Sequence, residues 1–159
     1  LCCCRYDVGV YALSLLLRMF GEEPYKIHAS ACLSRERIDT YTTGILEYSG
    51  GKKAHFDCGM VLETEKNSSL DRFQIHGSKG CIISENFAFN APGTLTYRLR
   101  TFDGADELHK VEVPNNYQPA VEQFGRCIRG LETPYVTDAF SISLAGTVDR
   151  ILGKICYGQ

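Results

Sequence analysis

Asp7 and Tyr11 are the residues of this sequence whose types and spacing most directly suggest chemistry. A carboxylate that can accept a substrate hydrogen bond and a phenol that can give or take a proton stand four positions apart, one turn apart on a helix. The surrounding stretch, YDVGVYALSLLLRMFG at residues 6–21, has helical periodicity. Asp7, Tyr11, Ser14 and Arg18 share one stripe, and Val8, Ala12, Leu15, Leu16 and Met19 form another, so one face belongs in a core and the other is polar. A capping Asp beside a core-edge Tyr has the same pattern, and spacing alone leaves both readings open. A phenol ionises near pH ~10 unless a cation stands beside it. The stretch 6–21 contains no lysine, so a catalytic Tyr11 needs its cation from elsewhere.

Other chemistry is weaker. There is no G-x-G, no G-K-[ST] and no G-x-S-x-G, so a dinucleotide fingerprint, a phosphate loop and a serine-hydrolase elbow are all missing from these 159 residues. Ser14, Ser30 and Ser141 therefore carry no nucleophile argument, and no cofactor-binding residue is assigned within the chain. His28 and Cys32 share a strand face but stand ~13 Å apart, too far to share a metal, and His55 and Asp57, at ~7 Å, allow at most a loose pair across water. His76 and His109 read as structural, and Lys79 as a solvated turn residue. Cysteines at 2, 3, 4, 32, 58, 81, 127 and 156 include no C-x-x-C pair, which points to reduced thiols and no metal site. In apolar surroundings a free cysteine behaves as a small hydrophobe.

Around these residues the composition is that of one globular domain: 159 residues, 44% hydrophobic and 23% charged. A net charge of −2 gives no bulk attraction to nucleic acid or to an anionic membrane. No apolar run approaches the ~20 residues of a membrane-spanning helix. The chain opens on Leu1 without the features of a signal peptide and enters a helix within a few residues, which reads as a piece of a longer protein in the cytoplasm.

In chain order, Gly21 caps the first helix and strands follow at 25–33 and 40–48. The paired glycines of Ser49-Gly50-Gly51-Lys52 make a hairpin turn into a strand at 53–63, whose apolar face carries Ala54, Phe56, Cys58, Met60 and Leu62. After a polar loop at 64–69, a strand at 70–76 turns at 77–80 into a short strand at 81–84. Phe87 and Phe89 fix a loop, and two strands follow, at 95–100 and 107–113. The period then becomes helical at 118–129, with Val121, Phe124 and Ile128, and at 137–157, opened by Thr137 as cap. This order predicts an α+β fold: a single domain, 1–159, with one mostly antiparallel sheet of about six strands and an N-terminal and two C-terminal helices on one face.

Several of these segments resemble those of a known family. Tyr6-Asp7-Val8-Gly9-Val10-Tyr11 resembles the D-[IV]-G-x-[HY] motif that opens the C-terminal domain of Gfo/Idh/MocA oxidoreductases. Phe20-Gly21-Glu22-Glu23-Pro24 is similar to the family's helix end, and Ile75-His76-Gly77-Ser78-Lys79-Gly80 to its I-x-G-[TS]-K-G hairpin. Residues 117–130 are similar to its Y…F…I-x-G helix. The resemblance implies a dihydrodipicolinate-reductase-like C-terminal domain that binds a sugar or polyol and dimerises through its sheet face. It implies a separate Rossmann domain that binds NAD or NADP and supplies the missing lysine. Asp7 would orient a substrate hydroxyl, and Tyr11 would stand at the family's proton-transfer position. Tyr in place of His resembles the branch holding glucose-fructose oxidoreductase, xylose dehydrogenases and dihydrodiol dehydrogenases. Cys2-Cys3-Cys4 departs from the family's glycine-rich stretch, where glycine would let the backbone approach substrate closely. The competing expectation is a non-catalytic dimerisation or binding module in which Asp7 and Tyr11 only cap and pack.

Overall fold

The computed structural model describes residues 4–60, 71–87, 92–115 and 117–156. Expectations that fall on Cys2, Cys3, Leu62, the loop 64–69, Leu70, Phe89 and Tyr157 lie outside those residues. A single π-helical turn (Arg5–Gly9) leads into α1 (Val10–Phe20). β1 (Lys26–Leu33), β2 (Asp39–Glu47) and β3 (Lys53–Gly59) follow, then β4 (Gln74–Gly77), β5 (Gly80–Asn86), β6 (Gly93–Thr101) and β7 (Asp106–Val113). The chain closes with α2 (Tyr117–Ile128) and α3 (Asp138–Cys156).

The α+β class holds, with every described strand pairing antiparallel. The strands form two hydrogen-bonded sheets, β1-β2-β3 and β4-β5-β6-β7, where one of about six strands was expected. Alternation tells which residues share a face but not which strands pair, so the division leaves no mark in the hydrophobic pattern. The chain folds as two compact units, residues 1–63 with 136–159, and residues 64–135.

In the first unit the three-stranded sheet has one covered and one open face. Ile27, Leu46, Phe56 and Cys58 enter a core completed by Leu13 of α1 and by Val148, Ile151 and Ile155 of α3. The hairpin between β2 and β3 depends on Gly50 and Gly51, at φ 68° and 75°, angles that glycine adopts without a Cβ penalty. Gly21 ends α1 in the left-handed conformation, its N–H donating to Leu17 O at 2.9 Å. Thr137 caps α3 through its Oγ1, which accepts from the Phe140 N–H at 3.2 Å. Each of these stops was readable from residue type.

The second unit is built differently. β4 to β7 form a meander in which Phe73 and Phe87 meet edge to face at 5.0 Å and Tyr97 stacks on His109 at 4.9 Å. Among its described residues none is fully buried. The helix expected at 118–129 forms as α2, but Val121, Phe124 and Ile128 face outward instead of entering a core.

Tyr48 shows how tightly the first unit is packed. It is 1% exposed, stacks on Phe20 with ring centroids 4.0 Å apart, and burial pushes its phenol up to about 12. Its hydroxyl has no hydrogen-bond partner among the described residues. A buried, unpaired hydroxyl costs more than the CH that would replace it. Tyr48→Phe is therefore expected to raise the unfolding free energy by about 1 kcal/mol, read as a higher urea midpoint at unchanged slope; a lower midpoint would contradict it.

Candidate active site

The turn that carries Asp7 is fastened to three other elements. The Arg5 backbone N–H donates to Asp39 Oδ2 at 3.1 Å and its Nη1 to Oδ1 at 2.7 Å, while Thr42 Oγ1 donates to Oδ2 at 2.8 Å. Asp39 and Thr42 belong to β2, and all three residues are buried. On the next position, the Tyr6 hydroxyl donates to Asp149 Oδ1 of α3 at 2.6 Å. Gly9 is buried against β3, where an added Cβ would stand 2.9 Å from Cys58 Sγ. Glycine is what lets the helix settle on that strand.

These anchors leave Asp7 and Tyr11 on the outer side. Asp7 is exposed and Tyr11 is 40% exposed, whereas Val8 and Ala12 pack against the core. A π turn is wider than an α turn, and single π turns are frequent where a helix presents functional groups. The covered side is chemically quiet. Burial, with the neighbouring Cys4 thiol second, pushes the Cys58 thiol far up, so it is a neutral packing group rather than a nucleophile.

The rest of the stripe read from the sequence has other work. The Arg18 guanidinium lies 4.4 Å over the Phe140 ring, and Ser14 is half-buried. The histidines are dispersed. His76 pairs in register with Cys81 on the β4–β5 hairpin, His109 faces Glu107 Oε2 at 3.2 Å, and Lys79 is exposed in its turn. His55 Nδ1 meets Asp57 Oδ2 directly at 3.5 Å, closer than the loose pair expected, because strand twist and side-chain rotamers bring the two tips together.

On the open face of the first sheet those residues join a polar ladder. Tyr41 donates to Asp57 Oδ1 at 2.7 Å, and Thr43 Oγ1 and His55 Nε2 are 3.1 Å apart. One row along, Glu47 lies between Lys26 and Lys53 in register and takes its shortest contact from His28 Nε2 at 3.0 Å. The His28 hydrogen bond, then the two ammonium groups, hold its carboxyl below the usual range against some desolvation. Among the described residues no group of three or more His, Cys, Asp or Glu is arranged to hold a metal.

Sequence reasoning missed Arg5, Asp39, Tyr6 and Asp149. Arg5 and Asp39 are 34 positions apart and Tyr6 and Asp149 143, and neither pair has a local pattern.

The fold is shared with about half of each of two solved chains, a ketoreductase and a dehydrogenase. The chain superposes over 96% of its length on KijD10, a 3-ketoreductase from Actinomadura kijaniata solved with NADP and TDP-benzene, at a TM-score of 0.80 and 18% identity, covering 46% of that chain. It matches UDP-N-acetylglucosamine 3-dehydrogenase GnnA from Acidithiobacillus ferrooxidans at a TM-score of 0.77 and 14% identity, over 95% of this chain and 48% of that one. Residues 3–83 match the GFO/IDH/MocA C-terminal domain, and the chain belongs to that family. It is also 29% identical over 147 residues to D-xylose 1-dehydrogenase (NADP(+)) 2 of Haloferax volcanii, covering 91% of this chain and 43% of the relative. The chain thus spans less than half the length of these relatives.

Two expected outcomes test this geometry. Gly9→Ala should cost roughly 1–3 kcal/mol by overpacking against Cys58, and adding Cys58→Ala should recover part of the loss in a double-mutant cycle; strictly additive losses would mean that the two groups do not meet. For Glu47, a folded-state pKa below the ordinary 4.5 contributes stability that is present above that value and lost as pH falls through the depressed one. Glu47→Gln should flatten the acid limb of the stability profile below pH ~4.5; an unchanged limb would remove this cluster as its source.

Proposed function

We propose that residues 1–159 act as one substrate-binding and dimer-forming domain of an NAD(P)-dependent, cytoplasmic oxidoreductase whose substrate is a sugar, polyol or related CH–OH or carbonyl compound. The observation that carries this reading is the pair Asp7, on the turn, and Tyr11, in the first turn of α1, both solvent-facing on a segment held from behind by Arg5, Tyr6 and Gly9 and lying within the family match. The curated relative is a xylose dehydrogenase using NADP, and KijD10 has been solved in forms with one lysine or one tyrosine replaced.

The division of labour follows from the chain's own residues. No glycine-rich phosphate loop occurs in the 159 residues, so the dinucleotide is held mainly by a Rossmann half outside them. When bound, the nicotinamide supplies or accepts the hydride. In the reducing direction the Tyr11 hydroxyl gives its proton to the carbonyl oxygen as the carbon becomes a carbinol. In the oxidising direction the Tyr11 oxygen takes that proton back. Asp7, one turn away, accepts a hydrogen bond from a neighbouring substrate hydroxyl and fixes which carbon is presented. A lysine from the Rossmann half would complete the proton path. The polar ladder on the open sheet face, with its paired charges and hydroxyls, suits a specific contact with a second copy.

In the enzyme as its gene encodes it, Tyr11→Phe should lower kcat by about 10²–10⁴-fold while leaving nicotinamide-nucleotide affinity unchanged by fluorescence titration. Undiminished turnover would remove Tyr11 from the mechanism and leave the non-catalytic dimerisation module as the reading of this helix.

A further inference from the structure

α2 is a fully formed amphipathic helix with nothing over its apolar side among the described residues of the second unit. Tyr117, Val121, Phe124 and Ile128 recur at four, three and four positions, one continuous stripe, and are 73%, 70%, 67% and 71% exposed. Leu131, 69% exposed, extends the stripe past the helix end, which closes through Gly130 in the left-handed conformation and a Leu131 N–H to Arg126 O bond of 3.0 Å. The opposite side is internally satisfied: Gln118 donates to Glu122 at 2.9 Å, and Glu132 accepts from Arg126 at 2.6 Å and from Gln123 at 3.1 Å. A contiguous stripe of this kind marks an interface.

We propose that the apolar stripe of α2 is the seat of the nucleotide-binding half of the same polypeptide. The inference rests on the reading above, which requires such a half. Three observations select this occupant over a second copy. The chain covers only 43–48% of its relatives' lengths and matches a domain described as C-terminal, so a segment of comparable size is available to cover it. The stripe carries no charge, and the nearby charges are committed to one another, so it lacks the complementary groups that steer and register separate molecules. A twelve-residue helix is about 18 Å long, and one side of it falls short of the roughly 800 Å² per partner that separate proteins need. A covalently joined half associates intramolecularly, at an effective concentration set by its linker, and can use a patch that small. Its apolar character is that of a permanent contact.

The test uses the full gene product with the photoreactive p-benzoyl analogue of phenylalanine in place of Phe124, irradiated and then digested for mass spectrometry. The expected product is a cross-link to a peptide preceding residue 1, at monomer mass and at unchanged yield when the protein is diluted tenfold. The same analogue in place of Gln118, on the satisfied side, should give no such product. Adducts of doubled mass, adducts confined to residues 1–159, or no adduct would overturn the proposal. NADP titration of the same sample separates the two failures: nucleotide binding with a misplaced adduct defeats the docking surface alone, and absent binding defeats the oxidoreductase reading beneath it. Amide hydrogen exchange on the unmodified protein gives an independent measure, since a seated α2 exchanges slowly at every concentration and an unseated one does not.

Discussion

The buried contact between Arg5 and Asp39 is the constraint on which the candidate site depends. Asp39 is 1% exposed and accepts from the Arg5 amide, the Arg5 guanidinium and the Thr42 hydroxyl. Ion pairs buried in this way contribute little net stability, because desolvating both charges offsets most of their attraction. What they supply is uniqueness, since removing either partner strands a buried charge at a cost of several kcal/mol. In this chain the uniqueness falls on the turn Arg5–Gly9. One end of the turn is tied to β2 and Tyr6 is tied to α3, and these ties leave Asp7 and Tyr11 on the outer side.

The parts of the fold legible in the sequence were those governed by local rules. Alternation put Phe56 and Cys58 inside and His55 and Asp57 outside, and the structure agrees at each position. Gly21, Gly50, Gly51 and Thr137 announced their stops and turns because backbone angle and capping chemistry are properties of single residues. The π turn was not legible, because an apolar pattern a few residues long does not separate a wider turn from an α turn. Asp39 stands just before the strand expected at 40–48, where no local pattern marks it as buried, and only tertiary pairing makes it a core residue.

The site followed the same division. Spacing placed Asp7 and Tyr11 on one stripe but could not separate them from Ser14 and Arg18. Packing separates them. Arg18 is engaged with Phe140 of α3, so the carboxyl-terminal half of the stripe is structural and the amino-terminal half faces outward. The roles expected of Asp7 and Tyr11 came from the resemblance to the family motif, which spacing alone could not have supplied. That motif also explains an otherwise odd feature, a proton-transfer candidate on a helix with no lysine: the cation need not belong to the same domain.

The open face of the first sheet and α2 of the second unit present opposite kinds of surface. Around Glu47 the sheet face is a ladder of charges and hydroxyls, costly to desolvate and rewarding only a partner that matches it group for group. The apolar stripe of α2 offers aliphatic and aromatic carbon with no hydrogen-bonding demand except the Tyr117 hydroxyl. Covering the first requires complementarity and is sensitive to pH and salt, while covering the second requires proximity and little else. The proposed contact with a second copy and the proposed seat of a cofactor-binding half would each call on one of these two kinds of surface. The sequence assigns them to elements of different periodicity, a strand-borne polar face and a helix-borne apolar one.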